Sequence, residues 1–229
     1  MQHPVITTTT TTAFASGVRI REARATDTDA FINLVTLIDL RIPTSELPSA
    51  LAPLRAALGS EPAPPLSHGR LLLLVAEDAY GTPVGAIVCG PPLWIFEHPN
   101  IPPFMRGILQ RRISTIQMLA VHPNHRGHGI GRNLLHAAEE TFTQTRYTVL
   151  TLRHLPGLET YYGPLGYTSQ PRLAIDLPPL GVITQVNPGW RHAVKPLSND
   201  VAFTTRYGHP VRVVTGALTT PPNAQTTEA

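Results

Sequence analysis

Hydrophobic and polar positions follow two periods along the chain, and these periods predict the order of its elements. "VRIREA" alternates with a period of two, and the apolar runs "RLLLLVAED" and "PVGAIVCG" flank the turn "AYGTP", which together predict a strand followed by a hairpin. Helical spacing predicts helices in "TDTDAFINLVTLIDL", capped by Thr26 or Asp27, in "SELPSALAPLRAAL" and in "GIGRNLLHAAEETF". Further strands are predicted at "ISTIQMLAV" and "YTVLTLRHL", and a short helix at "GLETYYGPLGY". The elements predict a mixed α/β fold.

The ends of the chain differ in composition from its middle. Residues 7–12 are a run of threonine, and the last residues, "TTPPNAQTTEA", are polar and carry proline. With 229 residues and 42% apolar content, the remainder suits one substantial core. We therefore expect flexible tails at 1–16 and 215–229 around a single domain at 17–214.

Composition narrows the classes of function. No apolar run approaches the ~20 residues of a membrane span, and the first residues lack the apolar centre of a secretory signal, so we expect a soluble cytoplasmic protein without a membrane partner. The one cysteine, Cys89, supports neither a disulfide framework nor a thiolate metal cluster. The formal charge of +3 suits a small anionic ligand better than a nucleic acid.

Three glycines lie at the start of one predicted helix, in "HRGHGIGRNLLHAAEETF". The phosphate loop of nucleotide hydrolases needs a Lys-Ser or Lys-Thr pair, which the sequence lacks. The dinucleotide fingerprint also fails, because Arg132 or Leu134 stands where its third glycine belongs. Because the first amides of a helix have no internal partner, the stretch predicts a pyrophosphate site. A tight turn that uses glycine for its geometry alone stays open as the alternative.

These residues resemble the GNAT superfamily of acyl-coenzyme A-dependent N-acyltransferases. Arg126, Gly129 and Gly131 fit the family motif [Q/R]-x-x-G-x-[G/A], and "LAVHP" fits the strand end before it. "YYGPLGY" resembles the family's short helix, in which a tyrosine stands five residues before an aromatic that follows glycine. The resemblance implies a GNAT fold: a central mixed, mostly antiparallel sheet with splayed central strands, flanked by helices.

The resemblance also implies how acetyl-coenzyme A would bind, as a cosubstrate without any metal. The pyrophosphate would be held by backbone amides, and the pantetheine arm would pair with main-chain groups of Leu119, Ala120 and Val121. The amides would come from Arg126, Gly127, His128, Gly129, Ile130 and Gly131. Many family members carry an asparagine seven residues before the tyrosine, where this chain has Leu155.

Two side chains are candidates for the chemistry. In the family, the acceptor amine attacks the thioester directly, and Tyr162 fits the tyrosine that protonates the departing thiolate. A phenol with a pKa of roughly 10 stays protonated at neutral pH, although an aromatic core residue is the alternative. His154, at a strand end, is the candidate general base, with an ordinary polar histidine as the alternative. His122, His125 and His128 lack nearby carboxylates and predict no metal site.

The acceptor is predicted to be selected by the proline-rich segment 91–112 and the connection "DLRIPTSELP". Trp94 and Phe96 would supply an apolar surface, Asp39 or Glu97 would hold a cationic amine, and Gln117 would hydrogen-bond it. A flap over the core, or a homodimer contact, is the alternative for the segment. The function predicted is transfer of an acyl group to an amine of a small molecule, peptide or protein. A coenzyme-binding sensor without turnover is the second hypothesis.

Overall fold

The computed structural model describes residues 12–13, 17–60 and 71–219. The chain divides into two compact units, one within 1–90 and 116–141 and the other within 91–115 and 142–229. Most residues of the predicted tails lie outside the described ranges. Of the tail residues that the structure describes, residues 12–13 pair with a neighbouring strand, and Ala217 is fully buried.

The first unit is a sheet with helices against it. Its elements are β1 (Thr12–Ala13), β2 (Arg19–Glu22), α1 (Thr28–Val35), α2 (Leu47–Leu58), β3 (Leu72–Glu77), β4 (Pro83–Gly90), most of β5 (Ile113–Val121) and most of α5 (Ile130–Gln144). The strands follow the order β1-β2-β3-β4-β5, and β1 through β4 pair antiparallel. Its core joins α1 and α2 to the inner faces of β3 and β4.

The second unit contains two sheets, of which one has four strands of its own. Its elements are α3 (Trp94–Glu97), α4 (Pro103–Leu109), the start of β5, β6 (Val149–His154), α6 (Glu159–Tyr162), β7 (Thr168–Gln170), β8 (Leu173–Asp176), β9 (Val182–Gln185), β10 (Arg191–Pro196), β11 (Ala202–Thr204) and β12 (Val213–Thr215). The strand orders are β5-β6-β10-β7 and β11-β12-β8-β9. Both sheets contribute to one core with α3 and α4.

Strand direction makes the sheets mixed. The amides of Thr148 and Val149 donate to the carbonyl of Arg112, and Thr151 Oγ1 donates to the carbonyl of Ser114, so β6 advances parallel to the start of β5. β10 pairs antiparallel with both β6 and β7, and β12 runs parallel to β8. The predicted mixed α/β class is confirmed.

The predicted connection at 91–112 contains two short helices, α3 and α4, rather than an irregular loop. Pro103 stands in the first turn of α4, where a missing amide costs nothing, so the prolines delimit helices here instead of preventing them. The helix predicted in "TDTDAFINLVTLIDL" is shorter in the structure, where α1 begins at Thr28 and ends at Val35. Of the described residues, no helix is both long and apolar enough to cross a membrane.

A buried ion network joins β2, β3 and the start of α1. Arg21, only 4% exposed, donates to both carboxylate oxygens of Asp27 at 2.6 and 2.9 Å, and its Nε lies 2.7 Å from Glu77 Oε1. Burial alone would raise the pKa of Asp27, but hydrogen bonds from Arg21 and the Arg24 amide outweigh burial and lower it. The carboxylate therefore stays charged to a lower pH than an ordinary aspartate does.

Removing one member of this network should destabilise the protein strongly. Asp27→Ala leaves part of the Arg21 charge buried without its partner, and we expect the free energy of unfolding to fall by about 3 kcal/mol. Because the folded pKa of Asp27 is depressed, this contribution is present above the ordinary carboxyl pKa and disappears as the pH falls through the folded value. Urea unfolding at pH 7 and at pH 3 measures both effects.

Asp29→Ala is the matched control, since Asp29 forms an exposed ion pair with Arg55 at 2.7 Å. Exposed pairs contribute about 0 to 1 kcal/mol, so this variant should stay close to wild type. An equal fall in the free energy of unfolding in the two variants would show that the buried Arg21 network stabilises the protein no more than an exposed ion pair does.

Candidate functional site

The turn after β5 starts as an extension of the sheet. The amide of His122 donates to the carbonyl of Val84 at 2.9 Å, so pairing with β4 continues one residue past β5. Leu119, Ala120 and Val121, the predicted arm-binding residues, are the last three residues of this strand. A single 3-10 turn at Pro123–His125 then leads the chain away from the sheet.

Two glycines in left-handed backbone conformations carry the chain from this turn into α5. Gly127 has φ +82° and Gly129 has φ +78°, conformations that other residues adopt at a cost of roughly 1–2 kcal/mol. A Cβ built on either glycine meets no heavy atom within 4 Å. The geometry explains why glycine is needed at both positions, and the space beside each is open to solvent.

The open space lies at the start of a fifteen-residue helix. The carbonyl of Gly129 accepts the first helical bond, from the Asn133 amide at 3.0 Å, so Gly129 occupies the N-cap position of α5. The amides of Ile130, Gly131 and Arg132 are then those that an α-helix leaves without an internal acceptor. Together with the helix dipole, they favour an anion at this end of α5.

Another glycine lets α5 lie directly on β4. A Cβ on Gly85 would come within 3.0 Å of Ile130 Cγ2 and 3.1 Å of Leu134 Cδ1, closer than ordinary contacts. Ile130 and Leu134 are themselves buried. The start of the helix is therefore anchored by packing rather than by a side-chain cap.

Basic side chains surround the turn. The Nε of Arg126 donates to the carbonyl of Val121 at 3.0 Å, which bridges the turn back to the end of β5. Arg132 and His128 are exposed beside it. Among the residues that the structure describes, no group of three or more His, Cys, Asp or Glu side chains is arranged to hold a metal ion.

Tyr162 lies at the end of α6 in the second unit, with 9% of its surface exposed. Burial raises the pKa of Tyr162 to about 12, and the adjacent Tyr161 adds to the shift. Its ring packs against those of Tyr161, Tyr167 and His154, with centroids 5.0, 5.8 and 5.2 Å away. The phenol therefore stays protonated throughout the neutral range.

His154, at the end of β6, is 2% exposed, and both of its ring nitrogens have partners. Nδ1 lies 2.7 Å from the carbonyl oxygen of Leu155, and Nε2 lies 2.8 Å from Ser169 Oγ. The sequence offers no motif for Ser169. Only the pairing of β7 with β10, and of β10 with β6, brings it beside His154.

The predicted acceptor residues occupy different environments. Trp94 is 8% exposed and belongs to the core of the second unit, whereas Phe96 is 41% exposed. Gln117, on β5 in the first unit, is exposed. Its side-chain nitrogen Nε2 lies 3.0 Å from the position that a Cβ on Gly90 would occupy. Asp39 is exposed after α1 and accepts a hydrogen bond from the Arg41 amide at 3.0 Å.

A buried histidine was absent from the sequence predictions. His192 on β10 is 5% exposed, and its Nε2 has no hydrogen-bond partner among the described residues. Burial, with smaller contributions from Arg153 and His154, lowers the pKa of His192 to about 4. It is therefore neutral at pH 7, and no local pattern in the sequence distinguishes it from a surface histidine.

Sequence comparison matches part of the chain to a known domain family. Residues 69–169, which include β5, the glycine turn, α5 and α6, match the sequence model of the acetyltransferase (GNAT) domain. This part of the chain is similar to GNAT acetyltransferases. No curated protein sequence matches the chain significantly.

Solved acetyltransferase structures share the fold at low sequence identity. A putative acetyltransferase from Salmonella typhimurium, solved with its cofactor acetyl-CoA, is 20% identical over 81% of this chain and 97% of its own, with a TM-score of 0.53. The ribosomal-protein-alanine N-acetyltransferase from Brucella melitensis is 23% identical over 77% and 98%, with a TM-score of 0.51. The PaiA N-acetyltransferase from Thermoplasma acidophilum, in complex with coenzyme A, is 14% identical over 78% and 98%, with a TM-score of 0.53.

Proposed function

We propose that this protein transfers an acetyl group, or a longer acyl group, from its coenzyme A thioester to an amine of a small molecule, peptide or protein. The observation that carries the proposal is the open turn at Gly127 and Gly129, which presents the amides at the start of α5 to solvent. The match of residues 69–169 to the GNAT acetyltransferase domain and the coenzyme-bound structural neighbours support it. A cytoplasmic location stays a prediction from the sequence.

The first unit would bind the coenzyme through its backbone. The pyrophosphate is held by amides in the stretch from Arg126 to Gly131, where the two left-handed glycines leave room for phosphate oxygens. The main-chain groups of Leu119, Ala120 and Val121 pair with the pantetheine arm. The exposed Arg126 and Arg132 add positive charge beside the phosphates.

In the second unit, Tyr162 would act as the proton donor to the leaving sulfur. Its raised pKa guarantees that a proton is present, but it also makes the phenol a weaker acid than an ordinary thiol, whose pKa is near 8.5. The main contribution of Tyr162 is therefore a hydrogen bond that strengthens as negative charge develops on the sulfur. Proton transfer follows once that charge is formed.

Filling the glycine turn should abolish coenzyme binding. In Gly129→Glu, the new side chain projects into the open space and repels phosphate, so we expect acetyl-CoA affinity to fall by at least roughly a hundredfold, or about 2.7 kcal/mol. Isothermal titration calorimetry measures this. Gly81→Glu is the matched control, because Gly81 has φ +81° and equal open space but lies between β3 and β4. Unchanged affinity in a folded Gly129→Glu protein would contradict the assignment.

Tyr162 should matter for turnover more than for binding. General acid catalysis contributes roughly a hundredfold or more, so Tyr162→Phe should lower kcat by about that factor and leave the acetyl-CoA dissociation constant nearly unchanged. Tyr161→Phe, which alters the exposed neighbour, should retain activity. If Tyr162→Phe turns over as fast as wild type, Tyr162 is a packing residue.

The acceptor is proposed to contact the segment 91–112 and the connection after α1. Phe96 offers an exposed aromatic surface on α3, and Asp39 offers a carboxylate to a cationic amine. Gln117 offers an amide on the exposed side of β5. Trp94 belongs to the core of the second unit, so its buried side chain would not itself contact the acceptor.

Phe96→Ala should raise KM for the acceptor by about tenfold, since one exposed aromatic contact is worth roughly 1.4 kcal/mol, while KM for acetyl-CoA stays the same. Steady-state kinetics with each substrate varied in turn measures both constants. Tyr207→Ala removes an exposed aromatic elsewhere in the second unit and should change neither. A rise in the KM for acetyl-CoA alone would reassign Phe96 away from the acceptor.

A panel of amines tests the activity itself. The purified protein is incubated with acetyl-CoA and alkylamines (2-phenylethylamine, spermidine), arylamines (aniline, 4-methoxyaniline), a free α-amino peptide and a lysine peptide, and products are followed by mass spectrometry. Acetylated product above the uncatalysed rate supports the transferase. Coenzyme binding with no product from any amine would instead favour a sensor.

A further inference from the structure

The His154 ring is held in one protonation pattern by its partners. Nδ1 lies 2.7 Å from the carbonyl oxygen of Leu155, and a carbonyl can only accept, so Nδ1 carries the proton. In the neutral ring, Nε2 then keeps its lone pair and accepts the hydroxyl proton of Ser169, at 2.8 Å. This arrangement of base, orienting group and hydroxyl is the kind that activates a hydroxyl for proton transfer.

His154 and Ser169 differ in their exposure to solvent. His154 is 2% exposed, while Ser169 on β7 is half-buried and so retains contact with solvent. With Nδ1 bonded to Leu155 and Nε2 bonded to Ser169, a proton reaches the basic nitrogen through the serine oxygen. The burial of His154 thus limits the routes by which it accepts a proton.

We propose that Ser169 relays a proton from the acceptor amine to His154, an inference that rests on the proposed transferase function. The bound alkylammonium gives one proton to Ser169 Oγ while the Ser169 proton moves to His154 Nε2. The freed lone pair forms the C–N bond and the C–S bond breaks. Tyr162 supplies the sulfur with a proton and recovers one from the nitrogen, which leaves an amide, a thiol and an imidazolium that returns its proton to water.

The surroundings of His154 suit a transient positive charge. The Tyr162 ring lies 5.2 Å away at an interplanar angle of 34°, and an aromatic ring stabilises a neighbouring cation. Glu159 on α6 is negative, although it is also paired with Arg191 at 3.1 Å. The buried, neutral His192 adds no charge at pH 7. An imidazolium here lowers the pKa of the adjacent Tyr162 phenol, which makes the acid stronger once the base is charged.

The dependence on amine type distinguishes a relay from a structural contact. Ser169→Ala should lower kcat/KM for the panel's best alkylamine, which binds protonated, on the order of a hundredfold. The best arylamine is already unprotonated at neutral pH, so its kcat/KM should fall by less than about threefold. Equal losses for both amines, or no loss for either, would overturn the relay.

Two variants control for the local structure. Ser169→Thr keeps the hydroxyl and should restore most of the alkylamine activity. Thr168→Ala removes a hydroxyl from the neighbouring position of β7, which faces the opposite side of the sheet, and should behave as wild type. An alkylamine defect in Thr168→Ala as large as that in Ser169→Ala would assign the effect to the strand instead of to the relay.

Nitrogen NMR of the imidazole tests the arrangement without any acceptor. We expect the Nδ1–H tautomer of His154, with an Nε2 shift that changes in Ser169→Ala, whereas an Nε2–H tautomer would overturn the relay. If wild type acetylates no amine of the panel, the proposed function fails and the relay with it. If wild type is active and Ser169→Ala matches it on alkylamines, the relay alone fails.

Discussion

The left-handed turn at Gly127 and Gly129 is the constraint on which the first unit's site depends. Both residues have positive φ, so the backbone conformation disfavours a side chain before any ligand is considered. The same absence of side chains exposes the amides that begin α5. Gly85 completes the arrangement, because its missing Cβ lets Ile130 and Leu134 pack directly on β4. Three bare positions therefore fix where the helix begins and what it can bind.

In the second unit, burial organises the side chains that would do chemistry. Tyr162 is kept protonated by burial, and His154 is kept in one tautomer by the Leu155 carbonyl. Neither residue alone is well suited to proton transfer. A phenol with a pKa of about 12 is a weak acid, and a buried histidine is a poorly accessible base. Their ring contact links the two, so that charge formed on one changes the acidity of the other.

Local patterns predicted most of the elements and the glycine turn. The run "ISTIQMLAV" coincides with β5, and the glycine spacing identified the start of α5, because both signals lie within a few neighbouring residues. Long-range pairing could not be predicted in this way. β7 through β12 carry weak alternation, and the Ser169 to His154 contact depends on β10 lying between their strands. Trp94 was predicted to supply an apolar surface to the acceptor, but the fold places it in a core that also contains residues of β8 and β12.

Backbone recognition of the coenzyme at the glycine turn is the central claim, and a ¹H–¹⁵N NMR titration of the wild-type protein with acetyl-CoA tests it most directly. The account predicts the largest saturable amide shifts at Gly127, His128, Gly129, Ile130 and Gly131, and smaller ones at the end of β5. Saturable binding with these amides unmoved, or with the main shifts confined to the four-stranded sheet of β8, β9, β11 and β12, would contradict it.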